Sequence, residues 1–522
     1  MDDLKEKYKN QDSDLLPNWN KPGVYSMGRD PLGMQAASVR LYTQLVPGIT
    51  NVTNRIRYYS FYCWVVRQFE KLKHSDDEEK WKKFIRRAEA IYVLSCVTFS
   101  AEHSGGMAGS DWAREHTGSL SEVSFDFTKW TDSPGQSGQY LKAARGNFGQ
   151  FYISSMIEVG MLVSTNSRIP LLSEDYGIPI AEAFEKGCPG SSKSLRDAIT
   201  SGTINAEQAK LIALESNPGA LKNSTEREYL KEFLLGLRQS DKSAYPRQAS
   251  LWNCLNGLRL VGNRDIDAIR SLFYEQHFED SKITSKHVEN LNRWRAYQAN
   301  ELCHVALELI LNDVSHEIDT HMGGVEPSIA VANVISRAFS KNDKHDSSLK
   351  MYADELKTSA TLNQDCEAGT SIVRSLSDSQ QRPNFEMVLE ACNLICILFS
   401  RWKDSGEIFK ALDPKANFNR SLAAVIQIMT RLEDRLTTEA LSEVIRQFVI
   451  SNHLHIAGNK LANSGTFTYR FLSEDGLLKD VRLTDYAFTT PRIFNLLWFA
   501  EDVGLIKNET LTPAGIEFLD AH

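Results

Sequence analysis

Apolar residues recur at three- and four-residue spacing along most of this chain, and that period decides its class. Ile56, Tyr59, Cys63, Val66 and Phe69 fall on one face of a helix in this way. The same reading predicts helices over 54–73, 81–102, 140–163, 226–237, 247–260, 265–277, 285–314, 327–339, 385–402, 420–435 and 438–451, with shorter ones over 35–46 and within 191–223. Thr53 or Asn54 is the expected N-cap of the first long helix. The expected class is therefore mostly α and multi-helical. A single core rarely grows past ~250–300 residues, so 522 residues imply more than one domain. The expected division is a polar start over 1–21, a helical domain with Gly/Pro-rich loops over 22–223, a central helical domain over 224–340, a linker region over 341–382, a helical segment over 383–450 and a tail over 451–522. Within the linker region, 341–348 and 358–382 are the polar stretches that read as linkers.

The tail changes texture. Residues 466–471 alternate as a strand does. A helix follows from Arg492 to Val503 and stops at Gly504, and 505–512 read as a short hairpin before Pro513 and a last helical turn. Helix, hairpin and closing turn make the tail a winged-helix-like α+β module by expectation.

Composition excludes several classes. Hydrophobic residues make up 42% and charged ones 24%, so wholesale disorder is not expected. The net charge of −8 argues against a dedicated nucleic-acid coat and leaves room only for a local basic patch. The polar start carries no secretory pattern, and the longest uncharged apolar stretch, around 91–101, is far short of the ~20 residues that span a bilayer. Eight scattered cysteines without a C-x-x-C pair fit a reducing compartment. The expectation is a cytoplasmic protein without a membrane span or cofactor.

Three clusters stand out. The first is amino-terminal: Gly28-Arg29-Asp30-Pro31-Leu32-Gly33, then Pro47-Gly48-Ile49-Thr50, then Arg55-Ile56-Arg57-Tyr58-Tyr59-Ser60-Phe61-Tyr62-Cys63-Trp64. Arg55 and Arg57 open a helix, where their charge opposes the helix dipole. They either bind an anion or pair with Asp30 or another carboxylate that locks the loop. The aromatic stripe reads as core. The second cluster is Glu301, His304 and Glu308 at i, i+3 and i+7 of one helix face. This is the Glu-x-x-His spacing of bundle metal sites, although no second Glu-x-x-His exists to complete one. A hydrogen-bonded polar face is the competing reading. The third cluster holds His453, His455, Lys460, Arg470, Arg482 and Arg492. Lys460, Arg470 and Arg492, with Arg55 and Arg57, are the candidate contacts to nucleic-acid phosphates. Pairing with Glu474, Asp475, Asp480 and Asp485 is the alternative.

No phosphate-binding loop, dinucleotide fingerprint or nucleophile elbow is present. Gly105-Gly106-Met107-Ala108-Gly109-Ser110 lacks the lysine such a loop needs.

The blocks R-D-P-L-G, P-G-I-T and R-x-R-Y-Y-S-F-x-x-W, together with 455–460, 467–470, 474–476 and 504–506, resemble a group of uncharacterised bacterial proteins found in gene clusters for defence against phage. The resemblance covers about a hundred residues and implies a context rather than a chemistry. On it rests the expectation of a non-enzymatic helical scaffold in an antiviral defence system, binding a partner protein (a nuclease, helicase or ATPase of the same system) and, weakly, DNA. The alternatives are a metal-dependent nuclease or hydrolase using Glu301, His304 and Glu308, and a winged-helix transcriptional regulator.

Overall fold

The computed structural model describes residues 30–52, 54–72, 76–100, 107–120, 124–133, 138–164, 168–219, 221–238, 241, 243–275, 284–341, 346–377, 382–415, 420–480 and 492–521. The expected polar start, Thr53, the Gly105-Gly106 pair, Arg482 and Asp485 lie outside them. The chain is mostly helical, and among the described residues its strands form only two-stranded pairs. No helix among the described residues is long and apolar enough to cross a membrane.

Two compact units are built from segments far apart in sequence. The larger comprises Ala37–Asn300, Ser405–Ala416 and Thr489–His522; the smaller comprises Met1–Ala36, Glu301–Asp404 and Asn417–Phe488. The contiguous domains expected from the sequence are therefore interleaved. The 35-residue helix Ser285–Asp319 contributes to both units, because its apolar positions continue without a break beyond the expected end at 314. The tail is divided too: its first hairpin, Phe471–Glu474 with Leu477–Asp480, falls in the smaller unit, and its second, Ile506–Lys507 with Thr510–Leu511, in the larger.

The larger unit is organised by the helix Arg57–Glu70, in which twelve of fourteen residues are buried. It packs on the helix Gly177–Gly187. Its rings join those of the helix Glu78–Phe99, where Phe61 stacks on Tyr92 at 4.1 Å, and of the segment Phe148–Tyr152, where Tyr62 lies 4.5 Å from Tyr152. The aromatic stripe is core, as its spacing implied. Asp77 caps Glu78–Phe99 by accepting from the Lys80 amide, and Asn205 and Gln208 form a reciprocal capping box at the start of Ala206–Ser216. The helix Ala244–Val261 packs on the carboxy-terminal helices Ile493–Asp502 and Pro513–Ala521. The expected stop at Gly504 is present, with φ at 85°. Asn508 and Glu509 both take positive φ, 49° and 63°, as a two-residue hairpin turn requires.

In the smaller unit the helix Phe385–Trp402 is central. It packs against Leu349–Ser359, Leu362–Leu376 and Pro327–Ala338. The stretch 358–382, expected as linker, contains Leu362–Leu376 as a regular helix. Thr361 and Gln364 close a capping box, and Cys366, Gly369, Ile372 and Leu376 form its buried stripe. That stripe is narrow among polar neighbours, which masked its period. The expected strand over 466–471 begins only at Phe471.

Glycine is demanded where loops press on helices. Gly48 has φ at 76°, and a Cβ there would lie 2.1 Å from Val159 Cγ1. At Gly138, also at 76°, no atom lies within 4 Å of that position. Gly48→Ala should therefore cost about 2–4 kcal/mol, backbone strain plus overpacking, and Gly138→Ala about 1–2 kcal/mol from strain alone. Denaturant midpoints of the two variants test this; equal losses would show that the approach of Val159 is immaterial.

Candidate functional site

In the smaller unit the R-D-P-L-G block meets the Glu301, His304, Glu308 face and the helix Asn452–Ser464. Asp30 takes a positive φ of 54° and turns the chain so that both its side chain and its carbonyl face inward. Its carbonyl accepts from Lys460 Nζ at 3.2 Å, and the next carbonyl, that of Pro31, lies 3.4 Å from His453 Nδ1. Gly33 follows at φ 71°, where a Cβ would meet Ile456 Cδ1 and Arg420 Cδ at 2.8 Å. The block is thus held at Asp30, Pro31 and Gly33 by a helix more than 400 residues away.

Two histidines in this site adopt opposite states. His304 is fully buried, with Nε2 3.0 Å from Glu308 Oε1 and Nδ1 4.0 Å from Glu301 Oε1. Burial alone pushes its pKa down, but Glu308, then Glu301 and Asp30, outweigh burial and raise it to about 9. His304 is an imidazolium among three carboxylates. Burial also pushes the Asp30 carboxyl up, against the pull of His304, and Asp30 Oδ1 makes no hydrogen bond among the described residues. His453 is the reverse case. Burial and the neighbouring Arg470 charge lower its pKa to about 3. Its Nε2 accepts from the Arg470 backbone amide at 2.9 Å, so the ring is neutral, with the proton on Nδ1 facing the Pro31 carbonyl.

The metal reading of this face fails on direction. Glu301 and Glu308 address opposite nitrogens of the one ring, so the three side chains do not converge on a point. No group of three His, Cys, Asp or Glu side chains among the described residues has the arrangement of a metal site. With His304 and Glu301 at 0% exposure and Glu308 at 2%, the cluster is also closed to a substrate. What it does is hold charge: it fixes the amino-terminal loop by Coulomb attraction in a dry interior.

Of the basic residues expected to meet nucleic acid, Arg55 and Arg57 are committed to ion pairs inside the fold. Arg57 Nε and Nη2 form a two-pronged pair with Glu226, each at 3.0 Å, and Nη1 donates to the carbonyls of Glu215 and Asn217 at 3.0 and 3.1 Å. Ser60 Oγ donates to the same Glu226 at 2.6 Å. Arg57 thus pairs with a carboxylate and caps carbonyls, but its partner is 169 positions on and has no signal in the local sequence. Arg55 pairs with Asp502 at 2.8 Å and lies over Trp498, whose ring also carries Arg264 at 4.3 Å. Burial raises Asp502 to about 6 in spite of Arg55. Arg470 is buried, and Lys460 is half-buried with its Nζ donating to the Asp30 carbonyl. Arg492 belongs to the larger unit and lies 5.0 Å over the Tyr42 ring.

Sequence reasoning missed Glu89, Glu158, Glu226 and Asp313. Glu89 accepts from the amides of Asn147 and Phe148 and from Tyr62, and burial raises it to about 7. Asp313 receives both Arg337 and Arg382. Each is a lone acid in an unremarkable helix, and its role comes from long-range packing.

Comparison of the chain with family models, curated proteins and solved structures gave no match.

Two expectations follow. Arg57→Ala should destabilise the protein by about 3–5 kcal/mol by stranding Glu226, whereas Arg57→Met with Glu226→Leu should recover most of that loss. A double variant no more stable than the single one would contradict the account. His304 has a folded pKa above its unfolded value of 6.5, so its stabilising contribution is complete below pH 6.5 and is lost as pH rises through about 9. Chemical denaturation between pH 6.5 and 9.5 should show this fall, and His304→Asn should flatten it. An unchanged slope in that variant would assign the titration elsewhere.

Proposed function

We propose that this chain is a non-catalytic helical scaffold of a bacterial antiviral defence system, holding a protein partner that supplies the chemistry. The context comes from the resemblance of its R-D-P-L-G, P-G-I-T and R-x-R-Y-Y blocks to proteins of such systems. The scaffold reading is supported by one observation: Arg55, Arg57 and His304, the titratable residues singled out in those blocks and the Glu301 face, are engaged by carboxylates inside the fold. Arg57 is closed over by Glu226, Arg55 is paired with Asp502, and His304 is held between two buried glutamates. A catalytic site needs groups that a substrate can reach, and these groups are enclosed. The same enclosure gives little help to a DNA-binding role, since electrostatic attraction to phosphates needs cations at the surface.

The test is a phage challenge in a host carrying the complete gene cluster. Deleting this chain should abolish restriction of plating. A His304→Gln or Glu301→Gln variant that still melts near the parent temperature should keep it. If a folded His304→Gln protein retained its partner but lost restriction altogether, the buried face would be chemical and the scaffold reading wrong.

A further inference from the structure

The larger unit contains an open cleft of about 630 Å³, within the range of small-molecule sites. One wall carries Thr50, the last residue of the P-G-I-T block, with Asn51 and Thr43. Gly48 donates its amide to Glu158 at 2.8 Å, and its carbonyl accepts from Tyr59 at 2.5 Å. The opposite wall is a π-helical segment, Phe148–Tyr152, running into the helix Ile153–Glu158. Single π turns within α-helices occur often at functional sites. This one brings Gln150 and Phe151 to the cleft, with Ser154 and Ser155 one turn later.

Arg492 closes the arrangement. It sits at the amino-terminal end of Ile493–Asp502, propped on the Tyr42 ring. Among the described residues it pairs with no carboxylate, and its enclosed Nε makes no hydrogen bond. Arg57 and Arg247, in the same unit, are both matched by acids. A largely buried guanidinium with no direct carboxylate partner, and only the through-space charge of Glu158, is costly, and here it faces an open cleft lined by hydroxyls. Glu158 lines the same cleft with one oxygen fixed by Gly48, which leaves acceptor capacity for a ligand's hydroxyls. Phe151 is 38% exposed at the cleft, a flat apolar face with room above it.

We infer that this cleft binds a 5′-mononucleotide. The phosphate meets Arg492 and the serine hydroxyls, the ribose diol donates to Glu158, and the base lies against Phe151. The cation is of the kind suited to phosphate, the acid to a vicinal diol and the aromatic ring to a base face.

Calorimetric titration of the full chain with AMP, UMP, adenosine and inorganic phosphate tests it. AMP and UMP should both bind saturably, since stacking tolerates any base, and adenosine and phosphate should each bind more weakly. Arg492→Gln should weaken AMP by roughly tenfold or more. Phe151→Ala, at an exposed position that does not threaten folding, should weaken AMP by roughly tenfold and leave phosphate unchanged. Lack of saturable AMP binding would overturn the inference. So would adenosine or phosphate binding as tightly as AMP, or AMP binding untouched by Phe151→Ala.

Discussion

The larger unit depends on the closure of Arg57 over Glu226. One guanidinium ties the motif helix to the carboxylate of Ser224–Leu235 and to the carbonyls that end Ala206–Ser216. Three elements distant in sequence thus share one set of donors. Neither charge is tolerable alone at that depth, so the pair sets a strict condition on packing: all three elements arrive together or none does. Arg247 repeats the device, joining Asp241 to the carbonyls of Pro47 and Phe233. Through Pro47 it also holds the loop that carries Gly48.

The amino-terminal blocks acquire distinct physical roles in this light. R-D-P-L-G belongs to the smaller unit, where Asp30 and Pro31 are read by His304, Lys460 and His453. P-G-I-T and R-x-R-Y-Y belong to the larger, where they build a cleft wall and the core beneath it. Each block lies near a π-helical segment: Ile445–Ser451 leads into the helix bearing His453 and Lys460, and Phe148–Tyr152 leads into the helix bearing Glu158. An inserted residue rotates the helix that follows, and in both cases that helix carries side chains that engage the block.

Helical class and the placing of most helices were legible because a 3.6-residue period is a local property. The Phe385–Trp402 helix and the stop at Gly504 show this well. The helix Leu362–Leu376 was not legible because only Ile372 and Leu376 of its buried stripe are large aliphatics, the rest being Asp365, Cys366 and Gly369. The interleaving of the units was not legible, since it depends on pairings such as Arg55 with Asp502 across 447 positions. Site residues divide in the same way. The sequence located Arg57 and His304 as unusual, for a cation at a helix start and a histidine between acids on one face are local anomalies. Their partners and their depth are long-range facts, and these turned candidate surface chemistry into interior electrostatics.

The buried titratable groups show how such an interior is balanced. His453, held neutral, binds protons less readily than the unfolded chain, so it favours folding more as pH rises from about 3 to 6.5. Glu89 does the opposite: burial raises it to about 7, and its contribution falls as pH rises from 4.5 toward that value. The two slopes oppose each other over most of the mildly acidic range, which keeps any single protonation from dominating. His453 reaches this state with hydrogen bonds to backbone groups, and Glu89 accepts from two backbone amides as well as from the Tyr62 hydroxyl. Arg492 stands apart from this pattern. Tyr42 supplies it a π face, and Glu158 acts on it through space without a direct ion pair, so its electrostatic need is met only in part within the fold. A site for something external is best sought where the interior leaves such a need open, and in this chain that place is the cleft beside Gly48.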